Sequence, residues 1–325
     1  MSNWVNNTMY TIRDFDYSDD DYRALVTVRN SARPDSPRSE EEWRYSDSSM
    51  NPDFAYHRDF VLANGEVVAF GVYGQDNTSF HPQKYYWRVT AHPDHAKTAI
   101  YATYFEHILK ALADKNLIAL MVDALTNWTT KIDYLQSQGF KETMRFNISQ
   151  LDVNAFDLSQ WSTAEQRVTD QDIRIRSLSE IMPIDPQWEH KLYELDWLIN
   201  RDMPSPEPPV KSTFEHFQKA NTHHPKFDPD FWFIATHDDE FIGFTQFWSN
   251  RDDKDLLKTG DSGVIRAYRR KGVVTALKVH AIRFTQAIGV PRIRTANAAI
   301  NPMYQINVKL GFKLMPSWID FEKLL

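Results

Sequence analysis

The chain has 325 residues, room for two domains of ordinary size, and its 42% hydrophobic and 25% charged content is that of a globular protein. It contains no cysteine, which excludes disulfides, a thiolate nucleophile and cysteine-ligated metals and fits a reducing cytoplasm. A net charge of −7, with acids and bases mixed along the chain, argues against nucleic acid as a partner.

The N-terminal stretch MSNWVNNTMYTIRDF lacks the basic-then-apolar pattern of a secretory leader, so none is expected. A strand is predicted over Tyr10–Phe15, followed by helical and loop sequence. Strands Phe60–Ala63 and Val67–Tyr73 flank a turn containing Gly65, and Tyr85–Thr90 forms a further strand. After a loop and a helix the half closes on Gly139-Phe140. Residues 157–170 are polar and without period, which suits a linker.

The second half reads the same way. Strands are predicted over Ile173–Leu178, Phe231–Ala235, Phe241–Phe247 and Ser262–Arg266. Between the first two lies Met203–Val210, with Pro204, Pro206, Pro208 and Pro209, which no ordinary helix or central strand accommodates. It reads either as a loop beside a substrate cleft or as a plain surface connector. Leu277, Ala281, Phe284 and Ile288 give the next helix one apolar face, and Gly289 and Pro291 stop it. Strand Arg292–Thr295, a short helix from Asn301 and a Gly311-Phe312 turn complete the series.

Three landmarks recur at nearly one spacing. Glu66-Val-Val-Ala-Phe70 matches Glu240-Phe-Ile-Gly-Phe244, Ala99 matches Gly272, and Gly139-Phe140 matches Gly311-Phe312, at offsets of 174, 173 and 172 residues. The expected architecture is therefore two tandem mixed α/β (α+β) domains, each a twisted mixed sheet with helices on both faces. Their expected bounds are 1–155 and 171–325, with 156–170 as the linker.

The sharpest local feature begins at Val264, where a strand ends. Arg266, Arg269, Arg270 and Lys271 crowd into six positions, Gly272 follows, and a helix opens with Val273, Val274 and Thr275. This is an anion site in outline. The first helical N–H groups have no intrahelical partner, the dipole favours negative charge, and the cations add charge-assisted contacts.

The segment resembles motif A of the GNAT acetyltransferase superfamily, R/Q-x-x-G-x-G/A, with Arg269 and Gly272 matching and Val274 standing where Gly or Ala is usual. Thr295-Ala-Asn297, Asn301-Pro-Met303 and Asn307-Val-Lys-Leu-Gly311-Phe312 resemble motif B, and Pro316-Ser-Trp318 suits bacterial tandem relatives similar to mycothiol-synthase-like proteins. The resemblance implies an N-acetyltransferase that binds acetyl-CoA as co-substrate, without a metal, and passes the acetyl group to an amine by direct attack in a ternary complex. It implies a cofactor site at Val264, Ile265, Arg266, Arg269, Arg270, Lys271, Gly272, Val273, Val274, Thr275, Asn301 and Asn307, with Val264 and Ile265 touching the pantetheine arm by their backbones. The equivalent stretch of the first half, His92 to Tyr101, has Ala96, Ala99 and Tyr101 in place of the motif's Arg, Gly and Gly or Ala. That half is expected to be a degenerate copy that binds no CoA.

Where many relatives carry a tyrosine as general acid this chain has Asn307, and Tyr304 lies on another helical face. The base is Asp202, Asp261 or a water relay, with Asp202 taken first for substrate contact. A small-molecule primary amine is the expected acceptor, with no membrane partner. A non-catalytic acetyl-CoA-binding regulator and a protein N-acetyltransferase are the other readings.

Overall fold

In the computed structural model, which describes residues 10–76, 80–203, 209–248 and 253–325, one order of elements runs through each half. The first comprises β1 (Tyr10–Asp14), α1 (Asp19–Ala32), α2 (Glu40–Ser48), β2 (Tyr56–Ala63), β3 (Glu66–Gly74), β4 (Lys84–Ala91), α3 (Thr98–Ala111), β5 (Ala119–Leu125), α4 (Thr129–Ser137) and β6 (Lys141–Asp152). The second begins with α5 (Thr163–Thr169), β7 (Arg174–Ser177), α6 (Leu178–Ile181), α7 (Trp188–Asn200) and α8 (Phe214–Ala220). It continues through β8 (Trp232–His237), β9 (Glu240–Trp248), β10 (Leu256–Val264), α9 (Val273–Ala287), β11 (Arg292–Ala298), α10 (Pro302–Lys309), β12 (Lys313–Leu314) and β13 (Trp318–Leu324).

Two compact units emerge. One holds the residues up to Arg145 together with Trp318–Leu325, the other Phe146–Ser317. This differs from the boundary expected from the sequence. The last strand of the chain, β13, pairs antiparallel with β5 of the first unit, while the later part of β6 pairs antiparallel with β11 of the second. Residues 156–170 are not an open linker. They form a 3₁₀ turn and α5, whose Val168 is buried against the α9 side of the core. Gln286 fixes the approach by donating to the carbonyls of Val153 and Phe156 at 2.8 and 2.9 Å.

In both units an antiparallel meander ends in one parallel pair, β4 with β5 and β10 with β11. Alternation along β8 shows how the sheet faces are used. Trp232 and Ile234 join the core under α6–α8, with Leu192, Leu195, Phe217 and Phe244, whereas Phe233 and Ala235 join that under α9, with Leu277, Ile293 and Phe312. The first unit repeats this with Leu25, Trp43 and Phe60 on one face and Trp87, Tyr104 and Phe140 on the other. Trp232, Phe244 and Trp248 pack on one another within or against that core. Trp318 belongs to the first unit, against Trp128 and under the Arg33 guanidinium.

Candidate active site

β10 keeps its partner β11 only over Leu256–Lys258, opposite Arg292–Arg294. Beyond Lys258 the two strands part, and β10 stays in register with β9 through an irregularity between Thr259 and Ser262. A cleft of about 680 Å³ opens there, walled by Ser262, Gly263 and Val264 of β10, the loop to α9, and Asn301, Met303 and Ile306. Ile199 and Met203 cover it from the α7 side. Close approach of α7 requires Gly263, because a Cβ there would run into Ile199 Cγ2.

Backbone alternation orients the donor at this edge. The Ile265 N–H donates to the Ile242 carbonyl at 2.9 Å, so it is held by β9. Successive N–H groups of a strand face opposite edges, which turns the Val264 N–H toward the parted side.

The loop from Ile265 to Gly272 runs through a 3₁₀ turn at Arg266–Tyr268 and two left-handed residues, Arg270 at φ +63° and Gly272 at φ +87°. Gly272 is the N-cap of α9 and has no side chain with which to satisfy the first-turn N–H groups. Those donors are thus left for an anion. No protein atom lies within 4 Å of a Cβ added at Gly272, and its left-handed backbone favours glycine.

The structure places the expected cofactor residues unevenly. Val264, Arg269, Arg270, Gly272, Val273, Val274, Thr275 and Asn301 line the cleft; among the described residues Ile265, Arg266, Lys271 and Asn307 do not. The Lys271 ammonium instead lies 4.6 Å from the Tyr268 ring centroid. Asn301 caps α10 by accepting from the Met303 N–H at 2.9 Å.

Asn307 is fully buried, and its Nδ2 donates to Asn297 Oδ1 at 2.6 Å, while its own Oδ1 is left without a partner. It ties α10 to β11 and does not line the cleft, so the structure does not bring it to the cofactor-binding place that the resemblance implies. Asp202 also differs from expectation. Its carboxylate accepts from Arg266 Nε at 2.8 Å and from the Arg269 guanidinium. The Arg266 hydrogen bond above all pulls its pKa down to about 2, leaving it permanently ionised and a weak base. It lines the cleft as the anchor of the arginine loop. Of the proline stretch, Pro204, Pro206 and Pro208 lie outside the described residues.

Asp261, a base candidate from the sequence, has a carboxylate neighbour that the sequence does not reveal. Asp196 of α7 receives a hydrogen bond from Asn200 Nδ2 at 2.9 Å and feels the charge of Asp261 on β10. Burial first, then the Asp261 charge, pushes the Asp196 carboxyl up to about 7. Burial also raises Asp261, against a hydrogen bond from Asn200. The only legible signal was Asp196 and Asn200 at i, i+4, hence on one helix face. Asp261 directly precedes the cleft residues Ser262 and Gly263, and Asn200 directly follows Ile199.

A parted strand pair, an uncapped helix N-terminus among arginines and a backbone N–H at the gap together can hold an anionic group beside a hydrogen-bond donor. Residues 190–312 match the model of the acetyltransferase (GNAT) family. No curated protein matches the sequence. Solved structures show the same fold along nearly the whole chain. A tandem GNAT protein from the clavulanic acid biosynthesis pathway has a TM-score of 0.69 at 16% identity, covering 97% of this chain and 98% of that one. A GCN5-related N-acetyltransferase from Sphaerobacter thermophilus has a TM-score of 0.67 at 14% identity, covering 97% and 95%. A GNAT-family acetyltransferase from Colwellia psychrerythraea has a TM-score of 0.57 at 10% identity, covering 96% and 99%. Among the described residues no helix is long and apolar enough to cross a membrane.

Proposed function

We propose that the protein transfers the acetyl group of acetyl-CoA to a primary amine of a small molecule, by direct attack with both substrates bound, and that the second half alone performs the reaction. The cofactor loop fits the carrier. Free α9 N–H groups with Arg269 and Arg270 take the pyrophosphate, and the gap between β10 and β11 takes the pantetheine arm.

The observation that supports the acceptor class is the Asp196–Asp261 pair with its raised pKa. Asp261 is next in the chain to the cleft residue Ser262, and Asp196 is bonded to Asn200, next to the cleft residue Ile199. An amine arrives as an ammonium ion, which such a pair attracts. With a carboxyl near neutrality the pair also accepts the ammonium proton at physiological pH. The freed amine attacks the thioester carbonyl, and the Val264 N–H stabilises the developing oxyanion. Collapse expels the thiolate, which takes the second amine proton, so no phenol at position 307 is needed. Both carboxyls are partly buried beside α7, so the acceptor that reaches them is the slender end of a small molecule. The absence of cysteine favours a cytoplasmic setting.

Release of free thiol from acetyl-CoA, followed across a panel of amines, tests the reading. Turnover with slender primary amines is expected. Tight acetyl-CoA binding without turnover on any amine would instead establish a regulatory binder.

A further inference from the structure

The first unit keeps a reduced counterpart of the cleft. At the internal offsets, Val89 and Ala91 correspond to Ser262 and Val264, Tyr101 to Val274, and Thr129–Lys131 to Asn301–Met303. The first-unit residues at these places again line one cavity, of about 200 Å³ against about 680 Å³.

Two side chains account for the contraction. Tyr101 is buried with its ring stacked on Tyr134, 6.3 Å between centroids, where the second unit has a valine. Lys131 replaces a methionine and is 1% exposed. Its ammonium donates to the Val89 carbonyl at 3.3 Å and lies 5.3 Å from the Trp128 ring centroid. Val89 stands beyond the Lys84–Tyr86 segment that pairs with β5, on the part of β4 free of that partner.

An ammonium with three donors thus has one protein acceptor, and no carboxylate lies within ion-pair distance of it among the described residues. Asp123 on β5 favours its charge from farther off but is already paired with Arg88 on β4, which opposes it. Burial holds Lys131 down to about 8, so it remains mostly charged at neutral pH. Among the described residues no acidic side chain lines the cavity. Asn127, Thr129 and Thr130 supply polar groups, and Ala32, Ala91 and Ala96 an apolar side. A buried cation of this kind is costly unless an anion joins it.

We propose that this cavity binds a small carboxylate anion, ion-paired to Lys131, with the two threonines at its head and the alanines against a short alkyl tail. The volume equals that of about six or seven water molecules, which suits a short-chain acid and excludes a CoA-sized ligand. The site is independent of the acetyl-transfer reading.

The test uses the full chain with ¹³Cε-labelled lysines, titrated by NMR with sodium propionate against sodium chloride and sodium phosphate at matched ionic strength. The Lys131 resonance is assigned by its loss in Lys131→Met, which installs the residue found at the equivalent place in the second half. Propionate is expected to shift that resonance saturably and raise its titration midpoint above about 8. Affinity should fall as pH rises through that midpoint, because the neutral amine forms no ion pair. Ala91→Leu, which fills the cavity and leaves Lys131 in place, should abolish the propionate response while the lysine still titrates. No saturable response to propionate, an equal response to chloride or phosphate, or a propionate response that survives Ala91→Leu would each overturn the proposal. Acetyl-CoA binding measured on the same samples reports the second unit separately.

Discussion

If the Asp196–Asp261 pair takes the amine proton, the acid limb of the pH–rate profile belongs to it. Asp196, at about 7, is about half ionised at pH 7 and about one per cent ionised at pH 5. kcat/KM for a given amine should then drop about fiftyfold from pH 7 to pH 5. Asp196→Asn removes the negative charge facing Asp261 and keeps a hydrogen-bonding group for Asn200. The limb should move to lower pH, toward the range of an ordinary carboxyl. Asp261→Asn should cost about 10²–10⁴ in kcat at pH 8 if Asp261 carries the proton. The assay is thiol release from acetyl-CoA at saturating cofactor, run from pH 5 to 9 for both variants and the parent. The alkaline limb, which neither carboxyl sets, should stay in place and serves as the internal control. Two variants with unchanged rates and an unmoved acid limb would refute the assignment.

Asp202→Asn should retain both turnover and the shape of the pH profile, because a carboxylate at about 2 is not the base. It should tighten CoA binding in calorimetry, since the Arg266 and Arg269 guanidiniums no longer divide themselves between a carboxylate and a phosphate; a hundredfold loss of kcat would return Asp202 to the catalytic role. Gly272→Ala should weaken CoA binding about 5- to 30-fold, the left-handed backbone costing a residue with a Cβ about 1–2 kcal/mol, whereas affinity within twofold of the parent would show that the turn is not needed as built. Lys278 on α9 is buried, and burial lowers it to about 8. Its folded pKa lies below the unfolded one, so the folded state binds fewer protons between about 8 and 10.5 and stability rises with pH there. Lys278→Met should therefore raise Tm at pH 7, by an amount equivalent to at most about 3 kcal/mol, and the gain should shrink toward pH 10.5. A pH-independent gain would refute the charge explanation.

The parts legible in the sequence were those set by local chemistry. The Arg269–Gly272 loop, the period of α9 and the two Gly-Phe turns are short-range signals, and Gly139, Gly272 and Gly311 do adopt the left-handed backbone. The strand predicted at Ser262–Arg266 in fact runs Leu256–Val264, because a glycine-containing, polar stretch conceals a strand whose pairing is supplied by β9. The exchange by which β13 completes the first unit was not legible, since strand alternation says nothing about which partner a strand finds. Asp196 lies 65 residues from Asp261 and looks like an ordinary surface acid until α7 is laid over β10. The same holds for Asp202, whose arginine partners fix its charge and remove it as a base. Lys131 reads as a solvated helix lysine from sequence and is buried only because α4 packs at the mouth of the strand gap.

The central claim is that a duplicated fold keeps one working acetyl-CoA site, in its second half. Calorimetric titration of the full chain with acetyl-CoA tests it most directly. One equivalent bound per chain is expected, reduced to negligible binding by Arg269→Glu together with Gly272→Glu and unaffected by Tyr101→Phe. Two equivalents per chain, or one that persists when the Arg269–Gly272 loop is reversed in charge, would contradict it.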